Sequence, residues 1–227
     1  MAPARPADLP LGRELVLPRA VQREIERTAP KAVAADVIAA VNAAAEIAEQ
    51  DPARALTWLR WARDVAGRSV SVLEATAITA YLAEDWSEVV RTVRAYRRLA
   101  GREDQNHILA DALRAQGRPI SEFAEVVEAM DDNVPVENLA EGRIVWAAAL
   151  ADAGDPRAGL VVLQTAIDRL EREEPGETHV RVWYVAGDLA ARAEITSRAI
   201  DHFQRALDLA GEDPWDIRDR LRALGAS

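Results

Sequence analysis

Apolar residues recur along this chain at helical spacing. In five segments they stand three and four residues apart, which places them on one side of an α-helix. The inward-facing series predicted from these segments are Ala55, Leu59, Ala62; Val89, Val93, Tyr96; Phe123, Val127, Met130; Gly159, Leu163, Ala166; and Ala199, Phe203, Ala206. Because alternating β patterns are scarce and alanine is abundant, the pattern predicts an all-α protein.

Polar residues at the start of the helical segments predict how the helices are separated. Asp51, Asp155 and Asp213 each precede a proline, and an Asp-Pro pair suits the N-cap and first position of a helix. Asp85 with Glu88 three residues later resembles a capping box, and Ser69 precedes another helical run. The order of signals is helix, short turn, helix, which is typical of helical hairpins.

The first members of the five series are 34, 34, 36 and 40 residues apart. The last repeat has Trp183, Gly187, Ala199, Phe203 and Ala206 in the order aromatic, small, small, aromatic, small. In period and in this order the chain resembles the tetratricopeptide repeat family. The alanine- and arginine-rich composition further resembles tetratricopeptide proteins of actinobacterial type. The resemblance implies a right-handed α-solenoid of about five helical hairpins, with an N-terminal extra helix and a C-terminal capping helix.

The same pattern gives an expected domain organisation. Residues 1–12 are expected to be disordered, and residues 13–35 to form an N-terminal helix and lead-in. The array is expected over 36–213, with repeats beginning near 36, 70, 103, 140 and 180. The third repeat needs a one-residue slip so that Leu109, Ala110 and Leu113 face inward in place of Asp111. Residues 214–227 are expected to form the capping helix and tail.

Composition and charge narrow the classes of function. The chain has 227 residues, no cysteine and a formal net charge of −10, which argues against a general nucleic-acid binder. No segment approaches the roughly 20 apolar residues of a membrane span, and the first residues lack the apolar core of a signal peptide. A cytoplasmic location is therefore expected. Common phosphate-loop, zinc and hydrolase motifs are absent, so we expect neither catalysis nor a metal or cofactor.

The resemblance implies a concave groove lined by the first helix of each hairpin. In the first repeat the groove would receive Val37, Ala40 and Ala44. The residues expected to bind a partner in this groove are Glu74, Ile78, Tyr81, Asp104, His107, Asp111, Arg114, Arg181, Tyr184, Asp188 and Arg192. The basic and amide residues with which family members grip a terminal carboxylate are missing here, so a chaperone-tail adaptor is not expected.

His107 permits two interpretations. Asp104 and Asp111 stand three residues before it and four after it, so either carboxylate could raise the pKa of the imidazole or share a metal ion with it. The other interpretation, which we favour, is a solvated helix face with ordinary ion pairs that also include Arg114.

The second helices carry a basic stripe that would lie on the convex side. Its members are Arg60, Arg63, Arg91, Arg94 and Arg98. Such a stripe suits a phosphate backbone, an acidic protein patch or the acidic segment 120–141 of another copy, although most charged runs are solvated helix faces. The leading hypothesis is therefore a non-catalytic scaffold that binds a peptide or helix of another protein in the groove, and a nucleic-acid or ribosome-associated factor is the alternative.

Overall fold

The structure is a computed structural model that describes residues 3–10, 16–130 and 132–226. These residues form twelve α-helices and contain no β-strand. The chain divides into two compact units: unit 1 comprises residues 1–116 and unit 2 comprises residues 117–227. Among the described residues, no helix combines the length and apolar character needed to cross a lipid bilayer.

Unit 1 consists of two helical hairpins with a helix before and after them. Its helices are α1 (Arg19–Thr28), α2 (Ala34–Ile47), α3 (Pro52–Ala66), α4 (Val70–Leu82), α5 (Trp86–Ala100) and α6 (Asn106–Ala115). Helix α2 pairs with α3 and α4 pairs with α5, while α1 packs on α2 and α4, and α6 packs on α5 and α4. A core formed by α1 to α4 buries Ile25, Val37 and Leu59 completely.

Unit 2 repeats this arrangement with its own core. Its helices are α7 (Ile120–Glu128), α8 (Val136–Asp152), α9 (Pro156–Leu170), α10 (Glu177–Arg192), α11 (Thr196–Ala210) and α12 (Ile217–Ala223). Helices α8 and α9 form one hairpin and α10 and α11 form another, with α7 against α8 and α12 against α11. Leu163, Phe203 and Ile217 are fully buried in this core.

The residues predicted to face inward are buried in the structure. All fifteen members of the five series are buried, and Met130, at 4 % exposure, is the most exposed of the fourteen that are not glycine. The predicted slip in the third repeat is also confirmed, because Leu109 and Ala110 are fully buried whereas Asp111 stays partly exposed. The helical period therefore located the core side of each helix correctly.

Four predicted N-caps are confirmed by hydrogen bonds. The side chains of Asp51, Ser69, Asp85 and Asp155 accept from the backbone N–H three residues later, at 2.9 to 3.2 Å. Asp213 departs from the prediction: α12 begins only at Ile217, and the Asp213 carboxylate accepts from the N–H groups of Ile217 and Arg218 at 3.1 and 3.0 Å. The capping box is also wrong, because the Glu88 carboxylate bonds to Arg60, Arg63, Arg91 and Thr92 instead.

The N-terminal segment differs from the expected disorder. Within residues 1–12 the structure describes 3–10, where Leu9 is only 4 % exposed and packs into the core of unit 1. The Asp8 carboxylate accepts from the indole N–H of Trp58 at 3.2 Å. Residues 1, 2, 11 and 12 lie outside the described residues, as do 13–15 of the expected lead-in and Ser227 of the expected tail.

The two units meet in the chain inside the third predicted repeat. The expected array ran without interruption from 36 to 213, whereas the division falls between Gln116 and Gly117. The helices on either side are short, with ten residues in α6 and nine in α7. Short helices bury little apolar surface, which is consistent with a division of the chain at this point.

Candidate functional site

A row of side chains along α4 and α6 forms the best-defined part of the predicted groove. Glu74, Ile78 and Tyr81 are spaced by four and three residues, so they lie on one side of α4. The Glu74 carboxylate accepts from the side-chain amide of Gln105 at 3.0 Å, and the Tyr81 hydroxyl donates to Asp111 at 2.7 Å. These two hydrogen bonds tie α4 to the α6 segment and fix the positions of its polar groups.

Asp111 is the common partner at one end of this row. Besides the Tyr81 bond, its other carboxylate oxygen accepts from two guanidinium nitrogens of Arg114, at 2.8 and 3.0 Å. The Arg114 side chain is half exposed, whereas that of Asp111 is 17 % exposed. The Arg114 guanidinium group is therefore exposed to solvent, whereas the Asp111 carboxylate that pairs with it is mostly buried.

Two aliphatic side chains are exposed beside these polar groups. Ile78 and Leu82 are each 42 % exposed and stand one helical turn apart on α4. We call the surface formed by Glu74, Ile78, Tyr81, Leu82, Asp111 and Arg114 the first-helix face. It combines a small apolar patch with charged groups that are already hydrogen-bonded, which is the composition of a rigid recognition surface.

His107 does not form, with Asp104 and Asp111, the cluster that would raise its pKa or share a metal ion. Asp104 accepts from the Tyr96 hydroxyl at 2.8 and 3.1 Å, and His107 Nδ1 instead lies 3.1 Å from the backbone oxygen of Asp104. Burial lowers the pKa of His107 and outweighs the opposing effects of Asp104 and Asp111. Across the described residues, no group of three His, Cys, Asp or Glu side chains could hold a metal ion.

The first-repeat part of the predicted groove is closed. Val37, Ala40 and Ala44 are fully buried, so their expected place in an open groove is wrong. Helix α1 packs on both α2 and α4, and the preceding backbone N–H of Val16 donates to Asn42 at 2.8 Å. The N-terminal helix thus occupies a surface that the sequence analysis had left open.

Glu24 of α1 anchors this helix to the start of α4. Its carboxylate accepts from the Ser69 hydroxyl at 2.6 Å and from the backbone N–H groups of Val70 and Ser71 at 3.1 and 3.4 Å. Unpaired N–H groups at a helix N-terminus favour a negative charge, which explains this position. Sequence reasoning missed Glu24, because a partner 45 residues away leaves no mark in the local pattern.

The predicted groove residues of unit 2 bond to neighbouring helices. Arg181 pairs with Glu141 at 3.1 Å and Arg192 with Asp152 at 3.0 Å, which links α10 to α8. Asp188 pairs with Arg220 of α12 at 3.2 Å and also with Arg192 at 3.9 Å. The ion pairs with Glu141, Asp152 and Arg220 join α10 to the alternate helices α8 and α12.

Tyr184 belongs to the C-terminal cap. Its hydroxyl donates to Asp216 at 2.6 Å, and its ring lies 5.6 Å from that of Phe203 and 4.9 Å from that of Trp215. Burial raises the pKa of Tyr184, and the Asp216 bond adds to this effect. The cap segment thus packs on this tyrosine, whereas Ile78 of unit 1 keeps an exposed aliphatic side chain.

The predicted convex arginines separate into two groups. Arg60, Arg63 and Arg91 converge on the carboxylate of Glu88, which is 2 % exposed. Arg94 and Arg98 are exposed, and neither forms an ion pair within the described ranges. Three of the five arginines of the stripe therefore belong to an ion-pair cluster around Glu88, a residue that was predicted to be part of a capping box.

The arrangement of hairpins has a counterpart among solved structures. The chain is similar to a crystal structure of YrrB, which is described as a TPR protein with an unusual peptide-binding site. The similarity covers 90 % of this chain and 97 % of that chain, with a TM-score of 0.55 and 17 % sequence identity. The fold is that of a tetratricopeptide repeat protein.

The similarity to a tetratricopeptide repeat protein is found by comparison of structures and not by comparison of sequences. No family model matches the sequence, and no curated protein matches it. Degenerate repeats explain this, because only the repeat from Val180 carries the full order of aromatic and small residues. The buried series survive in the other repeats as alanine, valine and leucine, which preserve the packing with little sequence signature.

Proposed function

We propose that the protein is a non-catalytic interaction scaffold that binds a peptide segment of a partner protein on the first-helix face. The observation that carries the proposal is the pair of exposed aliphatic side chains, Ile78 and Leu82, beside polar groups that are already held by hydrogen bonds. Aliphatic anchors supply binding energy, and fixed polar groups select among partners.

Preorganisation supports this proposal. A side chain that is already fixed loses less conformational freedom when a partner binds, so less of the interaction energy is spent on ordering. Tyr81 and Asp111 are fixed by their mutual bond, and Glu74 by Gln105. The face carries the carboxylates of Glu74 and Asp111 against one guanidinium, so it favours a peptide with an aliphatic residue next to a basic one.

The fold agrees with a scaffold. YrrB, which has the same fold, is described as having a peptide-binding site. Helical repeats present extended surfaces that are well suited to peptide segments. The nucleic-acid alternative has less support, because three of the five arginines on which it relied are ion-paired with Glu88.

Replacing Ile78 by glutamate tests this function. Immobilised wild type and Ile78→Glu are incubated with lysate of the source cells, and retained proteins are quantified by mass spectrometry. We expect a partner that wild type retains and Ile78→Glu loses, because a charge at the centre of the apolar patch would have to be desolvated on binding. Circular dichroism checks that the variant folds. We expect it to fold because Ile78 is 42 % exposed in the wild type.

Leu99→Glu is the matched control. Leu99 is 44 % exposed and lies on α5 in the same unit, so the substitution adds the same charge at similar exposure away from the first-helix face. Retention of the partner by Leu99→Glu assigns binding to the first-helix face. Identical retention by wild type and Ile78→Glu would contradict the proposal.

A further inference from the structure

A shallow groove lies in unit 2 between α9 and the start of α11. It encloses about 330 Å³ and is lined by Arg157, Leu160, Val161, Gln164, Ile195 and Arg198. We call it the α9/α11 groove. Most of its lining surface is apolar, and each of the two helices contributes one arginine.

Val161 is the most unusual residue of this groove. It lies within the 15-residue helix α9 and is 75 % exposed. A β-branched residue loses side-chain freedom in a helix and lowers helix propensity, a loss that burial normally offsets. Beside it Leu160 is only 6 % exposed and closes the bottom of the groove. An exposed valine next to a buried leucine forms an apolar surface that a partner can cover.

The arginines of the groove are not neutralised. Neither Arg157 nor Arg198 forms an ion pair in the part of the chain that the structure describes. Several other arginines of unit 2 do reach carboxylates, among them Arg169, Arg181, Arg192, Arg205 and Arg220. None of the six lining residues is acidic, although the whole chain has a net charge of −10. The groove is therefore locally basic and apolar on an acidic protein.

We propose that the α9/α11 groove binds a peptide segment of a partner protein that carries an aliphatic side chain flanked by carboxylates. The aliphatic side chain covers Val161 and Leu160. Carboxylates on either side pair with the guanidinium groups of Arg157 and Arg198, which accept such ligands in a two-pronged geometry. This surface is distinct from the first-helix face, and the proposal does not depend on binding there.

Peptide selection tests the groove directly. Random dodecapeptides displayed on phage are selected on the immobilised full-length protein, and enriched peptides are synthesised with a fluorescent label for anisotropy titration. We expect the enriched peptides to share an aliphatic residue with Asp or Glu close on both sides. Their affinity should fall by about tenfold or more with Val161→Glu and with the Arg157→Glu/Arg198→Glu pair, and should weaken with added salt.

Arg172→Glu is the matched charge control. Arg172 is exposed after the end of α9, and within the described residues it forms no ion pair, so the variant has the same change of charge outside the groove. We expect it to bind the peptides within about twofold of wild type. Val161→Ser, which adds no charge, should also weaken binding and serves as the second variant if Val161→Glu does not fold.

Three outcomes would overturn the proposal. The first is enrichment of peptides without the acidic-aliphatic pattern, or of peptides that bind Val161→Glu as well as wild type. The second is binding that Ile78→Glu abolishes and Val161→Glu preserves, which would place the peptides on the first-helix face. The third is a dimer, seen by sedimentation and lost in Val161→Glu, with no peptide enriched, which would identify a second copy as the occupant.

Discussion

At the scale of single residues, Glu88 shows how buried charge organises unit 1. Its carboxylate accepts from the Thr92 hydroxyl at 2.8 Å and pairs with Arg60, Arg63 and Arg91. Burial raises the pKa of Glu88, but the Thr92 bond and the Arg63 and Arg91 guanidinium groups outweigh it and lower the pKa to about 2. Because Arg60 and Arg63 come from α3, this carboxylate links two hairpins.

Replacing Glu88 by glutamine should make stability less dependent on pH. The pKa of Glu88 falls from 4.5 in the unfolded chain to about 2 in the folded protein, so the ionised form stabilises the fold above pH 4.5. At pH 7 we expect Glu88→Gln to lower the free energy of unfolding by roughly 2 to 3 kcal/mol. The difference should shrink as pH falls from 4.5 toward 2. Urea unfolding followed by circular dichroism at several pH values measures it.

Glu49→Gln is the control for the Glu88 experiment. Glu49 is exposed in the same unit and forms no ion pair within the described residues, so its replacement should change the free energy of unfolding little at any pH. A loss of stability in Glu88→Gln that is the same at pH 7 and pH 3 would contradict the ionic explanation. It would indicate that the side chain acts through packing alone.

The buried cluster around Glu88 also marks a limit of sequence reasoning at this scale. The spacing of Arg91, Arg94 and Arg98 predicted a stripe on one helix face. It could not predict that Glu88 is the carboxylate with which Arg91 and the α3 arginines pair. Arg63 and Glu88 are 25 residues apart, and the pairing depends on how two hairpins stack. The same holds for Tyr81 and Asp111, which were both predicted to line the groove, whereas the hydrogen bond between them could not be predicted.

At the scale of helices, close packing of α10 on α11 depends on Gly187. A Cβ added to Gly187 would lie 2.7 Å from Cδ1 of Phe203, a ring that is fully buried. Contacts this short do not occur between relaxed carbon atoms, so either the ring or the helix would have to move. The glycine therefore sets the distance between the two helices of the last hairpin.

Gly187→Ala should destabilise the protein despite the better helix propensity of alanine. Overpacking a closed core typically costs 1 to 3 kcal/mol, and alanine recovers up to about 1 kcal/mol of helix propensity. We therefore expect a net loss of up to about 2 kcal/mol in the free energy of unfolding. Thermal and urea unfolding of the purified variant measure this loss.

Gly176→Ala and a double variant control for the Gly187 experiment. An added Cβ at Gly176 meets nothing within 4 Å, so this substitution should not destabilise the protein by overpacking. Phe203→Leu removes the ring that alanine would strike, and in the double variant Gly187→Ala should cost less than it does alone. An equal cost in both backgrounds would show that the ring contact is not the cause.

The helices and their inward faces could be predicted because both depend on local spacing. The packing of residues 3–10 on unit 1 could not, since a short segment with three prolines has no helical period. Its order comes from tertiary contacts, among them the Pro3 carbonyl, which accepts from the Trp61 indole at 3.1 Å. Helix α1 was expected, but its attachment to the start of α4 through the carboxylate of Glu24 could not be predicted from its own pattern.

At the scale of the whole molecule, the distribution of charge argues for protein partners. The formal net charge is −10. Three of the five arginines in the predicted convex stripe, Arg60, Arg63 and Arg91, form ion pairs with Glu88. Arg94 and Arg98 remain as isolated exposed cations on α5. Polyanions bind through many simultaneous phosphate contacts, and the two unpaired cations of the predicted convex stripe are too few to hold one at physiological salt on a molecule of net charge −10.

This charge balance predicts that the protein does not bind RNA. In a filter-binding titration with labelled single-stranded RNA at roughly 0.15 M salt, we expect no retention by wild type. Arg94→Glu/Arg98→Glu should behave in the same way, because it removes no functional contact. Retention by wild type that falls with salt and is lost in this double variant would instead support the nucleic-acid alternative.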